Sequence, residues 1–408
     1  MSDAVKKQYE QFPYPARDPA DEAKRLITGS PSRVAEIDHY LFQGRQDWQA
    51  PFRALVAGGG TGDGTVMLAQ QLADIGAANA EVVYLDLSET ARAVAEARVS
   101  ARGLRNLRFL SGSLLDLPRL NLGRFDYIDC CGVLHHLADP PAGLAALVDA
   151  LSPDGGIGLM VYGTFGREGL YPLQDALRQL SADLPLERRV ELARRLLEQL
   201  PPTNGFRRNP FLGDHRLGDA ELVDLLLHSQ DRAYTVPELA ALAEGAGLHI
   251  ASFIEPLRYA PETYLSDPEL IRRAKALAPL ERAALAERLA GNMKQHTVYL
   301  SRRQGSVAAF ESLEAVPCLV DLPAPALARS LAKAGRLKLT LDGIPLELPV
   351  PPLAPGIVAG IDGRRSFQEI FAALALKDRR ITRVAFQQQA RDLVAALGGV
   401  NRLLLRTR

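Results

Sequence analysis

Short apolar runs alternate with helix-like stretches along much of the chain. A strand buried on both faces of a parallel sheet shows as a continuous apolar run rather than as strict alternation. Such runs lie at 53–57, 82–85, 107–110, 125–128, 157–162, 248–254 and 297–300. The pattern therefore predicts an α/β protein with seven strands and a parallel sheet covered by helices.

The stretches between these runs carry helix signals. Ser88 stands where an N-cap belongs before a helix that runs to about residue 102, and Gly103 follows as a C′ glycine. A short helix is expected at 33–41 and another at 141–151. Residues 167–245 are mostly helical, and within 186–200 the apolar positions recur at the helical period. The basic opposite face of 186–200 fits either a docking surface or an ordinary solvated face.

The two ends of the chain differ from its middle. Residues 1–50 are rich in proline and aromatic side chains and contain the run Tyr9-Glu-Gln-Phe-Pro-Tyr-Pro15. Residues 316–408 combine a turn, two helices and a short terminal strand. We therefore expect an N-terminal lid or aromatic–proline segment (1–50), a central domain (51–303, with helical insertions at 167–245 and 261–294) and a small α+β, winged-helix-like C-terminal domain. In the N-terminal segment, the rings of Tyr9, Phe12 and Tyr14 fit either a lid over the site or simple packing of this segment onto the domain.

Composition narrows the functional classes. The 408 residues are 47% hydrophobic, and 48 basic residues balance 48 acidic ones, so no overall field favours nucleic acid or an anionic membrane. No apolar run approaches the roughly 18 residues of a membrane span. Two of the three cysteines are adjacent, and no C-x-x-C pair or histidine cluster indicates a metal. We expect a soluble, reduced, cytoplasmic protein without a bound metal.

The most informative stretch is a glycine-rich turn after the first predicted strand. Gly58, Gly60 and Gly62 alternate there, and glycine permits positive φ and close approach of a ligand to the backbone. The next strand ends in Asp86, whose carboxylate can accept both hydroxyls of a ribose. A nucleoside ligand is therefore expected.

The spacing of the turn excludes one class of nucleoside ligand. The dinucleotide fingerprint G-x-G-x-x-G has no register here, because non-glycine residues occupy the required positions: Thr61, Asp63 and Thr65. A nicotinamide-dependent oxidoreductase would share the sheet and the ribose-binding acid but not this turn.

Two further segments complete a pattern in chain order. Leu110-Ser-Gly-Ser-Leu-Leu-Asp-Leu-Pro118 follows the third strand, and Phe125-Asp-Tyr-Ile-Asp-Cys-Cys-Gly-Val-Leu-His-His-Leu-Ala-Asp-Pro140 contains the fourth. With the glycine turn and Asp86, they resemble the motifs of the class I S-adenosylmethionine-dependent methyltransferases. The resemblance covers 52–162 and, more loosely, 248–302. The N-terminal Phe-Pro-Tyr-Pro motif is similar to that of a bacterial subgroup of the family.

The resemblance implies a fold, a cofactor and an activity. The fold is a doubly wound, Rossmann-like sheet of seven strands, the last two of which form an antiparallel hairpin at its edge. The cofactor is S-adenosyl-L-methionine, and the activity is methyl transfer to a small-molecule or protein acceptor. A catalytically idle cofactor-binding sensor or scaffold is the alternative, and the C-terminal domain is a candidate protein contact.

The resemblance also implies roles for individual residues. The glycines approach the methionine part of the cofactor, Asp86 binds the ribose, and the fourth strand ends near the methyl group. Residues expected at the cofactor are Gly58, Gly60, Gly62, Asp86, Leu87, Ser113, Leu114, Cys130 (or Cys131) and Tyr14. Where the acceptor carries a proton, His135 and His136 are the candidate bases.

One position departs from the family pattern. Many relatives carry an acidic residue two positions before the first motif glycine, where it organises the methionine end of the site, and this chain has Val56 there. Outside the motifs, His228, Asp231, Arg232 and Tyr234 cluster after a predicted helix. They fit either an acceptor pocket or a helix end with an Asp–Arg pair.

Overall fold

The computed structural model describes residues 3–407, which form two compact units. The first unit contains the described residues up to Val34 together with Trp48–His249 and Gly291–Arg302. The second contains Ala35–Asp47, Ile250–Ala290 and the chain from Arg303 onward. The sequence predicted consecutive segments instead. The difference arises because the stretches 35–47 and 250–290 pack with the C-terminal part of the chain.

All seven predicted strands are present and form one sheet. They are β1 (Phe52–Ala57), β2 (Ala80–Asp86), β3 (Leu107–Ser111), β4 (Phe125–Cys131), β5 (Leu151–Tyr162), β6 (His249–Phe253) and β7 (Gln295–Ser301). The order is β3-β2-β1-β4-β5-β7-β6. β1 pairs in parallel with β2 and β4, whereas β5 pairs antiparallel with β7. This is the predicted Rossmann-like sheet with an antiparallel edge.

Helices follow the strands and continue through the insertions and the C-terminal part. They are α1 (Asp3–Gln11), α2 (Val34–Leu41), α3 (Asp63–Asp74), α4 (Glu89–Ala101), α5 (Leu117–Leu120), α6 (Pro140–Ala150), α7 (Leu170–Ser181), α8 (Leu186–Gln199), α9 (Gly205–Arg208), α10 (Asp219–Leu226), α11 (Val236–Gly245), α12 (Pro268–Lys275), α13 (Pro279–Ala290), α14 (Ala324–Ala334), α15 (Ala354–Gly360), α16 (Phe367–Lys377) and α17 (Arg383–Gly399). Ser88 caps α4 as predicted, because its side chain accepts from the Ala91 N–H at 3.1 Å.

The insertion between β5 and β6 has a core of its own. Leu170, Leu177, Val190 and Leu222 are among the buried residues that α7, α8 and α10 contribute to it. Phe12 from the N-terminal segment packs against this core. The insertion therefore forms a helical layer of the first unit rather than a set of loose loops.

The second unit is a smaller α+β structure. Its additional strands are β8 (Val316–Leu319), β9 (Arg336–Leu341), β10 (Ile344–Pro349) and β11 (Leu403–Arg406). β9 pairs antiparallel with β10, and β11 pairs antiparallel with β8. Phe367, Phe386 and Leu393 lie at its core, fully buried. Within residues 3–407, no helix has the length and apolar character needed to cross a bilayer.

Candidate functional site

A cavity of about 390 Å³ opens in the first unit at the carboxyl ends of the central strands. Its size lies in the range of small-molecule sites. β1 and β4 are neighbours in the sheet although they are not consecutive in the chain. A doubly wound sheet binds its ligand at such a switch point, so the cavity is the candidate site.

The glycine turn forms one wall of this cavity. Gly58 and Gly60 line it with φ of 77° and 50°, a region that favours glycine. A Cβ on Gly60 would lie 2.8 Å from the carbonyl oxygen of Tyr14, so only glycine allows that approach. Gly62 lies behind the wall, where a Cβ would come within 2.9 Å of the Ala95 Cβ. Gly62 therefore serves the packing of α3 on α4 rather than the lining of the cavity.

The Asp86 carboxylate lies on the cavity wall at the end of β2. Its Oδ2 accepts from the Gly60 N–H at 2.8 Å, and its Oδ1 accepts from the Ser88 N–H at 2.9 Å. Burial raises the pKa of Asp86, and these N–H donors oppose the rise. Each carboxylate oxygen has two acceptor sites, so Asp86 can fix the glycine turn and still accept from a vicinal diol.

The segment after β3 brings a leucine to the same cavity. Leu114 and Leu87 both line it. Ser113 does not, because its side chain turns to the backbone and accepts from the Leu115 N–H at 3.2 Å. Leu114 of the predicted segment thus lies at the cavity, whereas the Ser113 hydroxyl caps the following turn.

The two adjacent cysteines of β4 point in opposite directions. Successive side chains of a strand alternate between its faces. Cys131 lines the cavity together with Asp129, whereas Cys130 is fully buried away from it. Of the two predicted cysteines, Cys131 is therefore the one whose thiol borders the cavity, and the Cys130 side chain does not reach it.

The two adjacent histidines also differ. His136 lines the cavity, and its Nδ1 lies 2.9 Å from the Gln230 carbonyl oxygen. A carbonyl only accepts, so Nδ1 carries the hydrogen and Nε2 is the basic nitrogen of the neutral ring. His135 is fully buried off the cavity wall and stacks on Tyr162 with ring centroids 3.8 Å apart. Burial lowers the pKa of His135 well below its usual value, so the structure does not support His135 as a base.

Four polar side chains form a hydrogen-bonded network beside His136. The Gln230 N–H donates to His228 Nδ1 at 3.0 Å, which leaves the hydrogen of the neutral ring on Nε2. His228 Nε2 lies 3.1 Å from the Tyr9 hydroxyl. Tyr9 donates to one oxygen of Asp224 at 3.0 Å, and Tyr162 donates to the other at 2.9 Å. Each member of the network is thereby satisfied without a bound ion.

His136, Asp224 and His228 also approach one another closely enough to be considered as metal ligands. Each offers an atom within 4.8 Å of the others. However, the two imidazole rings stack at 3.7 Å with only 18° between their planes. Imidazole lone pairs lie in the ring plane, so nearly parallel stacked rings do not converge on one ion. The arrangement suits proton handling better than metal binding.

Arg167 adds a cation to this end of the cavity. Its guanidinium carbon lies 3.5 Å from the centroid of the Tyr162 ring, in a cation–π geometry, and the side chain pairs with Asp231 at 3.3 Å. Arg167 lines the cavity, and its Nε has no hydrogen-bond partner among the residues described. The end of the cavity that holds His136 and Arg167 is therefore polar, in contrast to the wall formed by Leu87 and Leu114.

The N-terminal segment packs directly over the glycine turn. Tyr14 lines the cavity, and the Pro15 carbonyl accepts from the Thr61 hydroxyl at 2.7 Å. Arg17 forms an ion pair with Asp63 at 2.6 Å. The structure therefore places the predicted lid residue Tyr14 at the site, fixed by contacts to the turn and to α3.

Sequence reasoning missed several side chains of the site. It assigned no role to Asp129, Asp224, Tyr162 or Arg167. Two of them carried a signal, because Asp129 and Asp224 are acidic residues inside apolar runs, in β4 and α10 respectively. A buried charged residue without an evident partner is an indication of function.

Comparison with known proteins agrees with this geometry. A family model described as a methyltransferase domain matches residues 55–157. An uncharacterized protein of Synechococcus sp. is 31% identical over 315 residues, which cover 74% of this chain and 72% of that protein.

Solved structures extend the similarity to nearly the whole chain. PKMT2 from Rickettsia typhi superposes with a TM-score of 0.64 at 15% identity, covering 94% of this chain and 76% of that one. The structure of PKMT2 in complex with AdoHcy superposes with a TM-score of 0.62 at 14% identity and with the same coverage. At this identity the similarity describes the fold.

The chain belongs to the class I S-adenosylmethionine-dependent methyltransferases. It is a methyltransferase, and S-adenosylmethionine is its cofactor. The residues present suit that ligand, because a glycine-lined turn, a carboxylate at the end of β2 and a leucine wall lie in one cavity of suitable size.

Proposed function

We propose that the cofactor lies across the cavity with its adenine at the β2–β3 end and its methionine part toward β4. Asp86 accepts from the ribose hydroxyls, the backbone of Leu114 contacts the adenine edge, and Leu87 packs on the ring. The backbone at Gly58 and Gly60 borders the methionine part. Tyr14 and Cys131 complete the wall, since both line the same cavity.

The acceptor in this proposal is a small molecule with a hydroxyl or amine nucleophile that loses a proton. His136 is the base. The observation that carries this assignment is the Nδ1 contact to the Gln230 carbonyl at 2.9 Å, which fixes the tautomer and leaves Nε2 as the basic nitrogen at the cavity. A protein side chain with the same nucleophile would meet the same groups.

When bound, S-adenosylmethionine supplies an electrophilic methyl group on a sulfonium. Cavity residues hold the acceptor in line with that group and exclude water. His136 Nε2 would take the proton that the acceptor's nucleophilic atom loses when that atom receives the methyl group. The buried Asp224 carboxylate lies close enough to stabilise the resulting imidazolium.

The test uses purified protein, isotopically labelled cofactor and a cell extract, with mass spectrometry of products heavier by one methyl group. His136→Ala should reduce transfer by about 100- to 10,000-fold, the usual contribution of a general base. It should leave cofactor affinity within about twofold. His249→Ala, a change at the start of β6 and off the cavity wall, is the matched control. Unchanged transfer by His136→Ala would contradict the assignment of the base.

Two wider expectations belong to this proposal. We place the protein in the cytoplasm because its three cysteines are free, and Cys130 and Cys131 point to opposite faces of one strand. We also propose that the second unit contacts a protein. A pull-down with the intact chain, and with a variant that carries charge at the exposed Leu376, tests that contact.

A further inference from the structure

Val56 and Asp129 are neighbours across the sheet. Val56 occupies the position where many relatives carry an acidic residue, and β1 pairs with β4 so that Val56 lies opposite Asp129. Residues paired in this way present their side chains on the same face. Both side chains line the cavity. The chain thus carries a carboxyl group one strand away from the position expected for it.

Asp129 is buried without a protein partner for one of its oxygens. The side chain is 2% exposed, and its Oδ2 has no hydrogen-bond partner among residues 3–407. The Cys131 backbone N–H donates to the carboxyl group. Burial raises the pKa of Asp129 to about 7, and no basic side chain in the described part of the chain opposes that rise. A buried carboxyl group of this kind is costly unless a ligand pairs with it.

A small polar recess surrounds this oxygen. The Ser32 hydroxyl is also buried and unpartnered among the described residues. A Cβ on Gly64 would lie 3.0 Å from Ser32 Oγ and 3.1 Å from Asp129 Oδ2. The absence of a side chain at Gly64 therefore keeps both oxygens accessible from the cavity.

The strand order places the recess at one end of the cavity. β2, which ends in Asp86, lies on one side of β1, and β4 with Asp129 lies on the other. If Asp86 binds the ribose and the adenine lies toward β3, the amino-acid part of the cofactor extends toward β4. This step depends on the proposed function.

We propose that Asp129 binds the α-ammonium group of the cofactor's methionine moiety and replaces the carboxylate that the family carries at the position of Val56. Ser32 Oγ is positioned to accept a second hydrogen from the same ammonium group. The ammonium is the cation that the buried carboxyl lacks in the protein alone. Its binding favours the ionised form of Asp129, because an opposite charge lowers the pKa of a carboxyl group.

Calorimetric titration with two ligands tests the proposal without any catalytic step. AdoHcy keeps the α-ammonium group but has no sulfonium, whereas methylthioadenosine lacks the whole amino-acid end. Asp129→Asn should weaken AdoHcy binding by about 10- to 100-fold, the scale for a hydrogen bond to a charged group. It should leave methylthioadenosine binding within about twofold.

Three results would overturn the proposal. The first is an unchanged AdoHcy affinity, and the second is an equal weakening of AdoHcy and methylthioadenosine binding. The third comes from a parallel titration with S-adenosylmethionine: a loss of affinity for that ligand alone would place Asp129 at the sulfonium. Asp86→Asn distinguishes failure of the Asp129 proposal from failure of the proposed function. Because both ligands carry the ribose, Asp86→Asn should weaken the binding of both. If wild-type protein binds neither ligand, the proposed function fails before the role of Asp129 is addressed.

A variant that moves the carboxylate from position 129 to position 56 provides a second test of the proposal. The double variant Val56→Glu/Asp129→Asn restores an acid at the family position, and we expect it to recover at least part of the AdoHcy affinity. Val56→Gln/Asp129→Asn is the matched uncharged control. For a wild-type arm that needs no variant to fold, AdoHcy is compared with an analogue lacking the α-amino group. Equal affinities for these two ligands would contradict any ammonium site.

Discussion

Tyr9 donates its phenolic hydrogen to Asp224 across 3.0 Å, although 215 positions separate the two residues in the chain. α1 and α10 thereby meet at the end of the cavity where we propose that the acceptor binds. Neither helix belongs to the sheet that carries the cofactor motifs. The network beside His136 thus joins Tyr9 of the N-terminal segment and Asp224 of the helical insertion to Tyr162 at the end of β5.

Removal of the Tyr9 hydroxyl should disturb this assembly without altering cofactor binding. Tyr9→Phe leaves one Asp224 oxygen without a donor and removes the hydrogen-bond partner of His228 Nε2. We expect a loss of about 1–3 kcal/mol in the free energy of unfolding and a reduced transfer rate. Thermal melts, turnover and AdoHcy titration measure the three quantities.

Tyr40→Phe is the control for Tyr9→Phe. Tyr40 donates to Asn401 at 2.9 Å within the second unit. Loss of this hydrogen bond should also lower the free energy of unfolding but leave the turnover of the folded protein unchanged. If Tyr40→Phe and Tyr9→Phe reduce turnover equally, the effect of Tyr9→Phe comes from reduced stability and not from a role of Tyr9 in methyl transfer.

Asp86→Ala should weaken S-adenosylmethionine binding by about 1.5–3 kcal/mol, since it removes hydrogen bonds to a charged group. The carboxylate also accepts from Gly60 N–H and Ser88 N–H, so a lower melting temperature is expected as well. Asp74→Ala, at the exposed end of α3, is the control and should change neither quantity. Titration calorimetry that shows an unchanged dissociation constant for Asp86→Ala would remove the ribose assignment.

Gly60→Ala should damage the site more than an equivalent change elsewhere. Gly60 and Gly76 both have positive φ, 50° and 72°, so alanine at either position costs about 1–2 kcal/mol of backbone strain. Only at Gly60 would the new Cβ also meet a backbone atom, the Tyr14 carbonyl oxygen at 2.8 Å, whereas Gly76 faces open space. We expect both variants to melt lower but only Gly60→Ala to lose AdoHcy affinity. Equal affinity in the two variants would show that the close approach is unimportant for binding.

The buried Asp129 carboxyl predicts a pH-dependent stability difference in ligand-free protein. Its pKa in the folded chain, about 7, exceeds the ordinary value of 3.8. Folding therefore favours the protonated form, and the stabilisation present below about pH 4 is lost as pH rises through 7. The neighbouring Cys130 thiol remains neutral over this range, because burial raises its pKa.

The side chain of Asp129→Asn cannot ionise, so this variant should not lose stability as the pH rises. We expect ligand-free Asp129→Asn to exceed wild type in unfolding free energy at pH 8 by an amount on the order of 2–4 kcal/mol. The difference should shrink toward zero near pH 4. Denaturant titrations at a series of pH values measure it. A pH-independent difference would mean that Asp129 ionisation is not coupled to folding.

The sequence predicted the sheet well because its strands are buried on both faces. The run 82–85 is continuous and apolar, and the observed strand, Ala80–Asp86, extends it by two residues at one end and one at the other. Asp86 and Gly60 could also be predicted from the sequence, because the glycine spacing of the turn and the acid at the end of the next strand are local features. The structure places both on the cavity wall.

Side-chain direction and long-range contacts were harder to predict. Cys130 and Cys131, like His135 and His136, are adjacent, and the choice within each pair depends on which face meets the cavity. Asp224 joins the site only through its distant partners Tyr9 and Tyr162. Sequence periodicity contains no information about such contacts.

The division of the chain was missed for the same reason. Residues 35–47 pack with the C-terminal part, where the Glu36 carboxylate accepts from the Asn401 amide at 2.8 Å. Polar contacts between positions 365 apart leave no local pattern. Boundaries drawn from composition therefore followed the linear order of the chain, whereas the two units do not.

The end of the cavity where we propose that the acceptor binds combines residues next to β4 and β5 with residues of segments appended to the sheet. In the proposed function the cofactor contacts turns attached to the strands, whereas Tyr9, Asp224 and His228 belong to appended segments. We therefore expect exchange of these appended segments to change which acceptor is methylated and to leave the cofactor-binding residues unchanged. Chimeras that graft α1 together with α10 from one relative onto another offer a rational way to change acceptor selectivity.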